Sequence, residues 1–187
     1  MVVFNGERYI KEAINSILSQ TYSNFEFIIV DDGSTDLTSQ IVQSFRDERI
    51  KYYRHKSNYG QCIARNTALE KSIGKYIAIL DSDDISLPYR LEKQINYLEK
   101  NIEYGLVGSM AEIIDEFGEC VGEVQSESFS YEMTKVILFF RNCTTPSSFL
   151  CRREDMVKYG FNNEQLIGED YDLVVRFSRT SKVRNLN

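Results

Sequence analysis

The sequence predicts an α/β protein whose mixed, mostly parallel sheet is flanked by helices. Three observations carry that expectation. Short runs rich in β-formers alternate with helix-period segments through the first two-thirds of the 187 residues. The connections are short enough to imply crossover helices between parallel strands. Polar residues also gather just past the strand ends, where such sheets place their ligands.

"MVVF" opens as a strand fragment, abruptly enough that part of the strand is expected to be missing. From Glu7 to Gln20 the apolar residues Tyr9, Ile10, Ala13, Ile14, Ile17 and Leu18 mark one helical face. "FEFIIV" (25–30) is the next strand and runs into "DDGSTD", where Ser34 or Asp36 is placed to cap a helix carrying Leu37, Ile41, Val42 and Phe45. "IKYYR" is a third strand, followed by a helix from Gln61 to Ser72 that Gly74 ends. "KYIAIL" is a fourth strand of the same parallel sheet, and Pro88 suits the first turn of a helix through Leu91, Ile95 and Leu98. In the last third, "LVGSMAEIID" and "ECVGEV" flank a Phe117–Gly118 turn and predict a hairpin. A helix over Tyr131 to Phe140, the apolar piece "SSFLC" and an amphipathic helix from "GEDYDLVVRF" follow. The chain closes on "RTSKVRNLN", strand-like and expected to be cut rather than finished.

The length suits one domain, with 1–100 as a nucleotide-binding part and 101–187 as an acceptor-side part. A formal charge of −6 gives no electrostatic support to nucleic-acid binding. No apolar run reaches membrane-spanning length and no leader opens the chain, so a cytoplasmic protein is expected. Peripheral attachment to the membrane face through a missing segment stays open. Four widely spaced cysteines form no Cys-x-x-Cys pair and read as free, mostly buried thiols. The single histidine, His55, rules out sites built on several imidazoles and is expected at an exposed strand end.

The stretch "YIAILDSDDIS" sets Asp81, Asp83 and Asp84 at the end of an apolar strand. Like charges packed together raise one another's pKa unless a cation compensates. Mg²⁺ or Mn²⁺ takes hard oxygen ligands, often one or two carboxylates completed by water and phosphate, and a DxD supplies that partial shell. The structural alternative is a solvated turn before Pro88. "VDDGSTD" offers a carboxylate to a uracil imide or a ribose hydroxyl, or simply a turn and helix cap. Arg65 in "NYGQCIARN" suits a phosphate or a base, or a surface ion pair. Glu169, Asp170 and Asp172 near a helix start are also what the helix dipole favours. No GxGxxG follows the first strand and no GxxxxGK[ST] is present. What remains is a nucleotide diphosphate held through a metal.

"VFNGERYIKEAINSILSQTYSNFEFIIVDDGSTD", "NYGQCIARNTALEKSIGKYIAILDSDD" and "GEDYDLVVRF" resemble, in order and spacing, the successive signatures of family 2 glycosyltransferases with the GT-A fold. The resemblance implies an activated sugar donor, usually a UDP-sugar, a saccharide or lipid-linked acceptor, and inversion at the anomeric carbon. By position, Phe4, Asn5 and Glu7 would line the nucleoside pocket, Asp32 would hold the base, and Asn58, Gly60 and Arg65 would complete that wall. Asp81, Ser82 and Asp83 would form the DxD, with Asp81 and Asp83 as ligands of Mn²⁺ or Mg²⁺. Asp170 would be the general base. Where the family often carries His-Pro-Ser, this chain keeps only Pro146 and Ser147. One alternative reads "ILDSDDI" as the first motif of a haloacid-dehalogenase-like phosphatase, which leaves "VDDGSTD" unexplained. Another is a sugar-nucleotide-binding module without catalysis.

Overall fold

The computed structural model describes residues 1–123, 129–164 and 168–186. Val124 of the expected hairpin and the terminal Asn187 lie outside them. The first half alternates as expected: β1 (Val2–Val3), α1 (Ile10–Leu18), β2 (Phe27–Asp31), α2 (Thr38–Ser44), β3 (Ile50–Arg54) and α3 (Gln61–Lys71). The three strands form a parallel sheet in the order β1-β2-β3. Every residue of β2 is buried, as a strand covered on both faces must be. On α1 the expected stripe is in place, with Ile10, Ala13, Ile14 and Ile17 buried. Each such aliphatic side chain stabilises the fold by about 1.5–3 kcal/mol.

Beyond α3 the topology departs from the expectation. β4 (Tyr76–Ala78) leads to α4 (Arg90–Lys100), but it does not extend the parallel sheet. It is the edge of a second sheet, with order β4-β8-β5-β9, built from β5 (Tyr104–Ser109), β8 (Leu150–Arg152) and β9 (Lys182–Leu186). β8 runs antiparallel to both β4 and β5, and β9 is parallel to β5. A strand some seventy residues away has taken the place beside β4. "LVGS" belongs to β5, so the hairpin shrinks to β6 (Glu112–Ile114) and β7 (Cys120–Glu123). α5 (Tyr131–Ile137) ends three residues before Phe140, and α6 (Arg153–Tyr159) was not expected. The sequence did signal α6, through Glu154 and Asp155 in its first turn and Gly160 just after it.

α7 (Glu169–Ser178) buries Leu173, Val174 and Phe177 completely, in one cluster with Leu106 and Val183 of the second sheet. This packing fixes where the helix begins. Two capping expectations fail. Neither Ser34 nor Asp36 caps α2, whose N-cap is Leu37; Ser34 Oγ instead accepts from Asn5 N. Gly74 does not end α3, which turns extended at Ser72. The four cysteines are free, with Cys62, Cys143 and Cys151 buried and Cys120 exposed. No described helix is long and apolar enough to cross a membrane.

Candidate active site

The strand ends converge on one rim. Past β1, Asn5 takes up the left-handed region at φ 53°, which a short polar side chain tolerates. Its Oδ1 accepts from Thr35 N at 2.9 Å, while Glu7 Oε2 accepts from Leu37 N at 2.9 Å. In return Thr38 Oγ1 accepts from Gly6 N and Asp36 Oδ2 from Glu7 N. Asn5 and Glu7 therefore tie the β1–α1 loop to the β2–α2 loop. Gly33, at φ 80°, lets the latter loop press against the next one: a Cβ there would lie 2.6 Å from the backbone of Ser57.

Asp31 and Asp32 are both buried. Asp32 accepts from Gly60 N at 2.8 Å and Tyr59 N at 3.0 Å, and its Oδ1 lies 2.7 Å from His55 Nδ1. An ionised carboxylate only accepts, so Nδ1 carries the proton. His55 is thus not the exposed strand-end residue expected: its side chain is 14% exposed and also reaches Thr67 Oγ1. The carboxylate organises the loop from Asn58 to Gly60 and opens α3, where Gly60 at φ 97° is the N-cap.

A cavity of about 400 Å³ sits among these loops. Phe4, Asp32, Asn58, Asp81, Ser82 and Asp83 lie on its wall, with Gln61 and Ala64 from α3. Asn5, Glu7, Gly60 and Arg65 stand around it rather than on it. Asp81 is held by its backbone N–H, which donates to Ser147 Oγ at 3.0 Å. That contact gives Ser147 a place in the site, and the Pro146–Ser147 pair was its signal in the sequence. Asp84 beside it has its carboxyl raised, first by lost solvent and then by Asp81 and Asp83, with Ser147 and Arg90 opposing.

The cation that lets these carboxylates coexist is Arg65. Its side chain is 4% exposed and stacks over Phe161 at 5.1 Å. Nη2 donates to Asp81 Oδ1 at 3.1 Å, while Nη1 donates to Asp170 Oδ1 at 2.6 Å and Glu169 Oε1 at 3.3 Å. One guanidinium therefore joins the end of β4 to the start of α7. Asp170 is pushed up to about 6, first by burial, with Arg65 opposing and Glu169 and Asp81 adding to the rise. Its folded value exceeds the ordinary 3.8, so between these values the folded state binds the extra proton. The stability this carboxyl contributes is full below about pH 4 and is lost as pH rises through about 6. Metal-free protein should accordingly lose Tm relative to its Asp170→Asn variant between pH 4 and 7. A constant difference across that range, measured by thermal melts, would show Asp170 to be solvated.

Among the described residues no group of three or more His, Cys, Asp and Glu side chains can hold a metal unaided. Asp81 and Asp83 nevertheless present hard oxygens on the wall of one cavity, which fits a divalent cation whose shell phosphate and water complete.

The family model "Glycosyl transferase family 2" matches residues 1–160. An uncharacterized glycosyltransferase of Methanocaldococcus jannaschii is 36% identical over 180 residues, covering 94% of this chain and 62% of that protein. The Escherichia coli O-antigen biosynthesis glycosyltransferase WbnJ is 35% identical over 185 residues, 94% of this chain and 69% of its own. Staphylococcus aureus TarS superposes with a TM-score of 0.81 at 23% identity, over 99% of this chain and 56% of that structure. The Pyrobaculum calidifontis mannosyltransferase PcManGT gives 0.75 at 18%, over 99% and 52%. The chain spans 62% of the length of the M. jannaschii relative. Its architecture is that of the GT-A fold, and by sequence the chain belongs to glycosyl transferase family 2.

Proposed function

We propose that this domain transfers a sugar, with inversion, from a nucleotide-diphospho-sugar to a saccharide or lipid-linked acceptor. The observation that carries the reading is the single Arg65 guanidinium joining Asp81 of the DxD to Asp170 beside a cavity that Asp32 also lines. Residues 1–100 supply the donor side and 101–187 the acceptor side. Asp32 and the loop it holds form the nucleoside wall, with Phe4 across from it. Asp81 and Asp83 would hold Mn²⁺ or Mg²⁺, which when bound supplies Lewis-acid stabilisation to the departing diphosphate.

Asp170 removes the acceptor hydroxyl proton as that oxygen bonds to the anomeric carbon. The bond to the diphosphate breaks from the opposite face, through an oxocarbenium-like state. One displacement inverts the centre. Burial gives Asp170 a value near 6, close to the operating pH, where a general base works best. Arg65 fixes the carboxylate's orientation and keeps it ionised against burial.

TarS has been solved with UDP and with UDP-GlcNAc, and the P. calidifontis mannosyltransferase with GDP-Man and Mn²⁺. The base is therefore the property to measure. Calorimetry should show UDP binding in Mn²⁺ more tightly than ADP or GDP, and weakly in chelator. Asp83→Asn should weaken binding in Mn²⁺ far more than in chelator. Equal affinity for the three nucleotides would refute the uridine assignment; indifference to chelator would refute the metal.

A further inference from the structure

A second, larger cavity of about 700 Å³ lies between the two sheets. One wall is the edge of β2 and the residues before it, from Phe25 to Ile28. The opposite wall is β4. Ala68 and Leu69 of α3 cover one face, and Ile17 of α1 with Leu91 and Ile95 of α4 also line the space. Well-packed interiors hold few voids larger than a water molecule, so an apolar void this size is out of character.

Both walls are open strand edges. β1 pairs with β2 only at Val30 and Asp31, which leaves Phe27 to Ile29 uncovered on that side. β4 pairs with β8 on its other side. A ladder along the first wall has already begun: Met1 N donates to Ile28 O at 3.0 Å, and Val30 N donates to Met1 O at 3.1 Å. The amine thus stands where a peptide N–H would stand in a parallel pair. It is a poor place for a charge, and burial pushes the ammonium down to about 5. A peptide nitrogen at that point would make the same hydrogen bond without the charge.

We infer that this cavity is the slot for one more length of β-strand, an uncharged apolar segment running parallel to β2 and joined in line to Met1. Continuing the Val2–Val30 register places about four residues opposite Phe25 to Ile28. Helices cover both faces, so the segment takes apolar side chains at every position, Val and Ile above all. Bridging the slot would give one sheet in the order β3-β2-β1-β4-β8-β5-β9 and fix the distance between Asp32 and the DxD. The proposal needs no nucleotide and stands apart from the proposed chemistry.

The test extends the full chain before Met1 with Val-Val-Ile-Val or, as control, Gly-Ser-Gly-Ser. The apolar prefix should raise Tm by about 5 °C or more, a shift that corresponds to a stability gain well above error for a chain this long. It should also slow amide exchange at Ile28 and Ala78, the two edges of the slot, at least tenfold. Ala68→Phe, which intrudes into the slot, should cancel both gains. Equal effects of the two prefixes, a prefix that prevents folding, or a gain that survives Ala68→Phe would overturn the proposal. Equal protection by the free, acetylated Val-Val-Ile-Val peptide would overturn the in-line connection.

Discussion

Asp170→Asn should leave donor affinity near normal and reduce transfer by about 10² or more, the range general-base catalysis typically supplies. The substitution keeps the side chain's shape and its contact with Arg65 Nη1 through the amide oxygen, yet removes the proton acceptor. Asp172→Asn is the control. Asp172 pairs with Arg176, whose guanidinium also donates to the carbonyls of Tyr159 and Gly160, so its loss loosens α6 against α7 without touching the cavity. The measurement is initial transfer rate at saturating UDP-sugar with a competent acceptor and the complete protein. Normal transfer by Asp170→Asn would place the base elsewhere, with Glu169, on the same guanidinium, as the first replacement.

The second large effect is expected on stability. Arg65→Met removes the one cation shared by Asp81, Glu169 and Asp170 and leaves their carboxylates facing one another. Removing one partner of a buried ion pair typically costs about 3–5 kcal/mol. Asp81 keeps a third of its side chain in solvent, which argues for the lower end, about 3 kcal/mol. For a chain of this size that is a Tm loss of about 6–12 °C. Arg65→Lys keeps the charge but not the planar fork that reaches β4 and α7 together, and should fall between. Mn²⁺ should restore part of the loss in Arg65→Met, because a second cation would then sit among the same carboxylates. An unchanged Tm in metal-free buffer would mean that the cluster is solvated and needs no counter-charge.

The parallel half of the fold was legible because its determinants are local. The period of α1, the β-rich run of β2 and the short connections each show within a few residues. The second sheet was not, since β4 pairs with β8 and β5 with β9 across more than seventy residues, and alternation within a strand does not name its partner. In the site, the motif positions of Asp32, Asp81, Asp83 and Asp170 could be read, but their partners could not. Nothing in the spacing of His55 ties it to Asp32, and nothing around Arg65 shows that it reaches both Asp81 and Asp170. Those pairings are decided by where helix starts and strand ends meet in space. Asn5 and Glu7 illustrate the limit from the other side: their motif was visible, and their side chains point into the neighbouring loop.

The stitching of that loop to its neighbour has a consequence for how the sequence can drift. The acceptors are side chains, namely Asn5, Glu7, Ser34, Asp36 and Thr38, while every donor is a main-chain N–H. Replacing an acceptor strands a donor in the opposite loop, so these five positions restrict one another although they lie some thirty residues apart. Thr35 and Leu37 are placed differently. They contribute backbone N–H groups that any residue except proline carries, so their side chains are free to diverge. Variation along the rim should be patterned accordingly, fixed at the oxygens and loose at the amides.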